Sequence, residues 1–221
     1  MLEQSTHEVS VDIVTRAQVA FKSTFGPFGN HLPALKALRG EIYGYIHENA
    51  SAGMARGLYW NIFVELAPLK FDGEVWDCAI LADWLSLTIQ NVHELDGVTW
   101  DSVREKELVE GSFYLAEHHP ARVDELTICR ASEPSALTVS LRGEFEFCWN
   151  LKSQNVPFDI QCPLELRGIL VTPEGLDPKP LGSDDVRATV SQFISTIGLD
   201  APIQNGSQYV MAPETSEPVS R

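Results

Sequence analysis

The chain has 221 residues, 44% hydrophobic and 21% charged, with 31 acidic against 16 basic residues and a formal net charge of −15. That length suits one large domain or two small ones, with enough chain to bury a substantial core. The acidity argues against nucleic acid and anionic membrane surfaces as partners, since both are held by cationic contacts. It suits a basic protein partner, whose approach such a field would steer.

Met1–Ser10 lacks a basic start followed by an apolar run, so no secretory signal is expected and the segment reads as a flexible N-terminus. No stretch of ~18 apolar residues exists, so no membrane span is expected. Cys78, Cys129, Cys148 and Cys162 are scattered singly. They read as reduced thiols of a cytoplasmic protein, not as disulfides or a metal site.

Two helices are expected first. Val11–Phe25 follows a capping Ser10 and repeats Val14, Ala17, Phe21 and Phe25 at helical spacing, until Gly26-Pro27 stops it. Pro33 suits the first turn of a second helix running to Asn49, with a stripe of Leu35, Leu38, Ile42, Tyr45 and Ile46. Ala37, Gly40 and Gly44 form its small-residue face and imply close packing by another element, because glycine within a helix costs up to ~1 kcal/mol.

From Leu58 the period changes to two. Trp60, Ile62, Val64 and Leu66 alternate with more polar neighbours until Pro68, and Asp72-Gly73 is a hairpin signal before Glu74–Ala82. Leu85, Leu87 and Ile89 suggest a third strand, Asp96-Gly97 a turn, and Asp101–Glu110 a short helix. Ser112–His118 and Val123–Arg130 read as strands joined through Pro120. Leu137–Trp149 has the clearest pattern: Leu137, Val139, Leu141, Phe145, Phe147 and Trp149 share one parity, interrupted only by Gly143. Thr138, Ser140, Arg142, Glu144 and Glu146 share the other, giving one strand with an apolar face and a wet face. Residues 156–171 alternate again, and Pro157 and Pro163 place that strand at an edge or give it a bulge. Segments 123–131, 136–149 and 156–171 form an antiparallel meander.

Ser183–Gly198 supplies a cover helix with Val186, Val190, Phe193, Ile194 and Ile197 on one face. Residues 201–221 are poor in apolar side chains and read as a disordered tail. The expected fold is therefore α+β: two N-terminal helices, an antiparallel sheet of about seven or eight strands (one layer or two), and a C-terminal helix packed on it, all in one domain over residues 11–200.

Catalytic signals are weak. There is no Gly-x-Ser-x-Gly elbow, no phosphate loop and no His-Glu-x-x-His motif, so neither cofactor nor metal is expected. His118 and His119 would point to opposite faces within a strand, and could meet Glu117 in a pocket only at a strand end. Glu144, Glu146, Asp159 and Glu165 lie on wet parities, and Trp76 beside Asp77 suggests an aromatic-acidic patch. The expected function is a non-catalytic acidic protein-binding module, such as an inhibitor or immunity-type protein that occludes a basic partner. The alternative is a small-molecule-binding protein or hydrolase with a pocket near Glu117, His118 and His119. The oligomeric state is not encoded in any pattern here.

Overall fold

The computed structural model describes residues 35–49, 53–71, 74–105, 109–115, 117–130, 136–149 and 152–214. Those residues are 65% strand and 11% helix, and seven of the strands close into a barrel. The α+β expectation is thereby overturned. The first expected helix, Val11–Phe25, lies outside the described residues. The second is strand β1, Ala37–Asn49.

The reason lies in parity. Gly40, Ile42, Gly44 and Ile46 are buried, while Glu41, Tyr43, Tyr45 and His47 between them are half-buried. Glycines at two of the four inward positions erase the apolar alternation and leave a stripe that also fits a helix. They are needed there because neighbouring strands press close. A Cβ on Gly40 would meet Leu164 Cδ1 at 3.1 Å, and one on Gly44 would meet Leu58 Cδ1 at 3.0 Å. The expected close packing is real, but it acts on a strand.

β2 (Met54–Phe71) and β3 (Glu74–Leu85) follow as antiparallel neighbours. The ladder between them breaks between Leu66 and Leu69, around Pro68, and again between Trp60 and Ile62. Leu87 and Ile89, expected in a third strand, lie in irregular chain after β3. A 3-10 turn (Val92–Leu95), strand β4 (Thr99–Asp101) and the one-turn helix α1 (Ser102–Glu105) lead on to β5 (Glu110–Leu115). β6 (Glu117–Arg130) is a single strand that includes Pro120. β7 pairs with β6 only from Ala121 onward, so Pro120 sits where a missing N–H is tolerated.

β7 (Leu137–Trp149) is one continuous strand, and β8 (Lys152–Val171) is the longest. β6, β7 and β8 are successive antiparallel neighbours, as the meander requires. β8 pairs with β7 up to Leu164 and with β1 from Leu164 to Leu170. This second ladder is parallel and closes the barrel. Seven strands that each reverse direction leave the first and last running the same way, so the closing seam must be parallel.

Stacked rings fill the interior. Phe145 lies 4.2 Å from Phe113 and 4.5 Å from Phe158, centroid to centroid. Trp60, Ile42, Ile62, Ile80, Leu126 and Leu141 complete a dry core. Helix α2 (Ser183–Val190) is shorter than expected, and Val186, Val190 and Ile194 join this core. Ile197, expected on the same stripe, is 68% exposed, because the chain has left the helix by then. The Ser195 amide donates to the Gln90 carbonyl oxygen, which ties this segment to the turn before Val92. Within the expected tail lie β9 (Ile203–Asn205) and β10 (Gln208–Met211), with β10 paired to the end of β8, whereas residues 215–221 fall outside the described residues. A short amphipathic strand needs few apolar side chains when Met211 is the one it buries.

Candidate functional site: an acidic barrel wall

The outer face of β6–β8 carries the charges expected of the wet parity. Arg122 lies between Asp124 (2.7 Å) and Glu144 (3.2 Å). Arg142 lies between Glu125 (3.2 Å) and Asp159 (3.6 Å). Arg167 lies between Glu165 (2.6 Å) and Glu41 of β1 (3.8 Å). The register dictates these groupings, since Arg122 faces Glu144 and Arg142 faces both Glu125 and Asp159. Such exposed pairs each contribute little to stability. Their arithmetic matters more: each of these three arginines answers two carboxylates, so the face around them stays negative. Exposed Glu146 has no ion-pair partner among the described residues.

Glu144, Glu146, Asp159 and Glu165 therefore share one wall, whereas Trp76 and Asp77 do not join them. Those two lie on β3, across the barrel from β7 and β8. Trp76 is half-buried against the core and Asp77 is exposed.

Glu117, His118 and His119 do not converge. All three are in β6, so alternation sends His118 outward and His119 inward. His118 Nε2 is 2.6 Å from Ser112 Oγ, and its ring lies 5.4 Å from that of Tyr114, tilted by 52°. His119 is 4% exposed, with Nε2 3.3 Å from the Leu115 carbonyl oxygen and its ring 6.2 Å from Phe113.

Burial holds the His119 imidazole below its ordinary value of 6.5. The unfolded chain thus takes up a proton that the barrel excludes. The associated stability is present above about pH 6.5 and is lost as pH falls below it. The urea midpoint is expected to drop between pH 7 and pH 5, and His119→Gln should flatten that profile. An identical pH slope in the variant would remove His119 from this role.

Burial pushes the Cys78 and Cys162 thiols up to about 11, which leaves them protonated and poorly nucleophilic. No cluster of three or more His, Cys, Asp or Glu able to hold a metal occurs among the described residues. A cleft of ≈ 430 Å³ lies between Ser86–Ile89 and Glu94–Trp100. Its two carboxylates already serve the local fold. Glu94 accepts from the Gln90 amide at 2.8 Å and from Asn91 Nδ2 at 2.9 Å. Asp96 accepts from the Arg130 amide (2.8 Å) and Nε (3.0 Å), which hold its carboxyl below the usual range.

Reading β1 as a helix hid an aromatic group on the outward parity of β1, the strand that adjoins β8, and on neighbouring β2. Tyr45 lies within 6.0–6.3 Å of the rings of Tyr43, His47 and Tyr59, and its hydroxyl donates to Asp83 Oδ1 at 2.5 Å. The period-two spacing of Tyr43, Tyr45 and His47 was the available signal.

No known family, curated protein or solved structure matches the chain. No helix among the described residues is long and apolar enough to cross a membrane.

Proposed function

We propose that this protein is a non-catalytic acidic binding module whose β6–β8 wall meets a basic protein partner. The reading rests on one observation: Arg122, Arg142 and Arg167 each answer two carboxylates, so the face around them presents surplus negative charge on a rigid sheet. Such a surface acts mainly by accelerating encounter and selecting partners of opposite charge. An inhibitor or immunity-type protein in the cytoplasm, occluding a basic surface, is the form that fits. The same charge disfavours nucleic acid. The separation of His118 from His119 gives the hydrolase alternative no support.

The test is affinity capture from native-source lysate at low and high salt, followed by association kinetics with the protein recovered. The double variant Glu144→Lys/Glu146→Lys is expected to slow association at least about tenfold at low salt and to weaken its salt dependence. An association rate equal to wild type at low salt would overturn the assignment of this wall.

A further inference from the structure

Around the remainder of the barrel, β1, β2, β3 and β5 juxtapose a second set of outward groups. Tyr43 faces Asn61 on β2. Asn61 in turn faces the two-residue bulge Asp83-Trp84, where the β2–β3 register slips between Trp60 and Ile62. Asp83 faces Glu110 on β5. Trp84 is held at φ 61, a conformation rare for a bulky residue, and its amide donates to Asp83 Oδ1 at 2.8 Å.

Asp83 Oδ1 accepts from the Tyr45 hydroxyl as well as from the Trp84 amide, but the charges of Asp83 and Glu110 meet no cation, and Asn61 Oδ1 meets no donor, among the described residues. Asp83 and Glu110 are like charges directly opposite one another, an arrangement that is destabilising in a sheet. Neither has an ion-pair partner among the described residues, unlike the acids on the β6–β8 wall that flank Arg122 and Arg142. Asn61 is 2% exposed, and its side-chain Oδ1 has no hydrogen-bond donor among the described residues. Buried acceptors of this kind are ordinarily satisfied. Beside them stand the faces of half-buried Tyr43 and Tyr45.

We propose that this cluster is a binding site for a guanidinium group, presented by an arginine side chain of a peptide or protein segment. A guanidinium is planar, permanently charged and purely a donor, with five N–H groups in a fixed fork. It can answer Asp83 and Glu110, donate to Asn61 Oδ1, and lie against a tyrosine face. An ammonium supplies the charge but not the plane. The site goes beyond the β6–β8 reading and uses none of its residues.

Titration of the full chain at low salt, followed by tryptophan fluorescence or amide NMR shifts, tests the proposal. The probes are the blocked tripeptide Gly-Arg-Gly and its lysine and citrulline counterparts. Saturable binding of the arginine peptide is expected, at least tenfold weaker for lysine and absent for citrulline. Asp83→Asn and Glu110→Gln should each weaken it at least tenfold, whereas Asp159→Asn on the β6–β8 wall should not. Glu110 is exposed, so Glu110→Gln reports on the site even if Asp83→Asn disturbs folding. Free L-arginine, whose own carboxylate the wall repels, should bind more weakly than the peptide. If it binds as tightly, arginine presented on a segment is overturned in favour of a free guanidino compound. Citrulline-peptide binding equal to the arginine peptide, or wild-type affinity in Glu110→Gln, overturns the guanidinium site itself. Glu144→Lys/Glu146→Lys leaves this titration unchanged, so failure of one reading is distinguishable from failure of the other.

Discussion

Phe145→Ala is expected to lower the unfolding free energy by about 3–5 kcal/mol, the range for removing a fully buried aromatic ring. Phe145 has no exposed surface and is the middle ring of the column Phe113–Phe145–Phe158, with interplanar angles of 20° and 13°. Its loss removes the hydrophobic contribution of the ring and two stacking contacts, each worth roughly 0.5–1.5 kcal/mol beyond area. Closed strands cannot collapse into the gap as a loop could, so the cavity persists. Denaturant unfolding measures the effect through the midpoint at constant slope. A loss below about 1 kcal/mol would mean that the ring column is not a principal support of the barrel. Phe145→Leu should recover part of the difference.

Gly143→Val is the second large effect, expected to cost about 3 kcal/mol or more and to reduce the yield of folded protein. Gly143 sits on the inward parity of β7, opposite Val123 and Phe158. A Cβ there would collide with the Arg122 carbonyl oxygen and would stand 2.8 Å from the Phe158 ring. The first obstacle is backbone of the paired strand β6, just before its irregularity between Val123 and Glu125, so it cannot swing aside. Phe158 lies over the glycine and fills the volume that a side chain would have used. Gly143→Ala should cost less but still destabilise. Wild-type stability in the valine variant, measured by the same unfolding curve, would show that β6 can give way.

These two residues also show what the amino-acid order reveals and what it hides. Leu137–Trp149 is legible because a lone glycine interrupts a long alternating stripe without shifting its parity. β1 is not, because Gly40 and Gly44 occupy inward positions only four residues apart and remove the contrast on which alternation depends. The remaining apolar residues then fit a helical stripe equally well. That one segment decides the fold class: without β1 as a strand there is no partner for Leu164–Leu170, and the sheet cannot close. The opposed fates of His118 and His119 follow from alternation once both are placed in one strand. The acids of the β6–β8 wall were visible as a wet parity, but their sharing of arginines is a matter of register. The facing of Asp83 and Glu110 is further from view, because a long connection separates β3 from β5 and a bulge sets the offset.

The way β8 changes partners has a consequence for solubility. Before Leu164 it pairs with β7 alone among the described residues, so one side of Lys152–Pro163 faces outward without a ladder. A row of unpaired backbone groups on a long strand is a template on which a second molecule can add itself, the first step towards fibrils. Pro157 and Pro163 each lack the donor that such an addition requires, and Asp159 places an exposed charge between them. The barrel closes its sheet with the last third of β8, and the prolines guard the remainder against self-templated polymerisation.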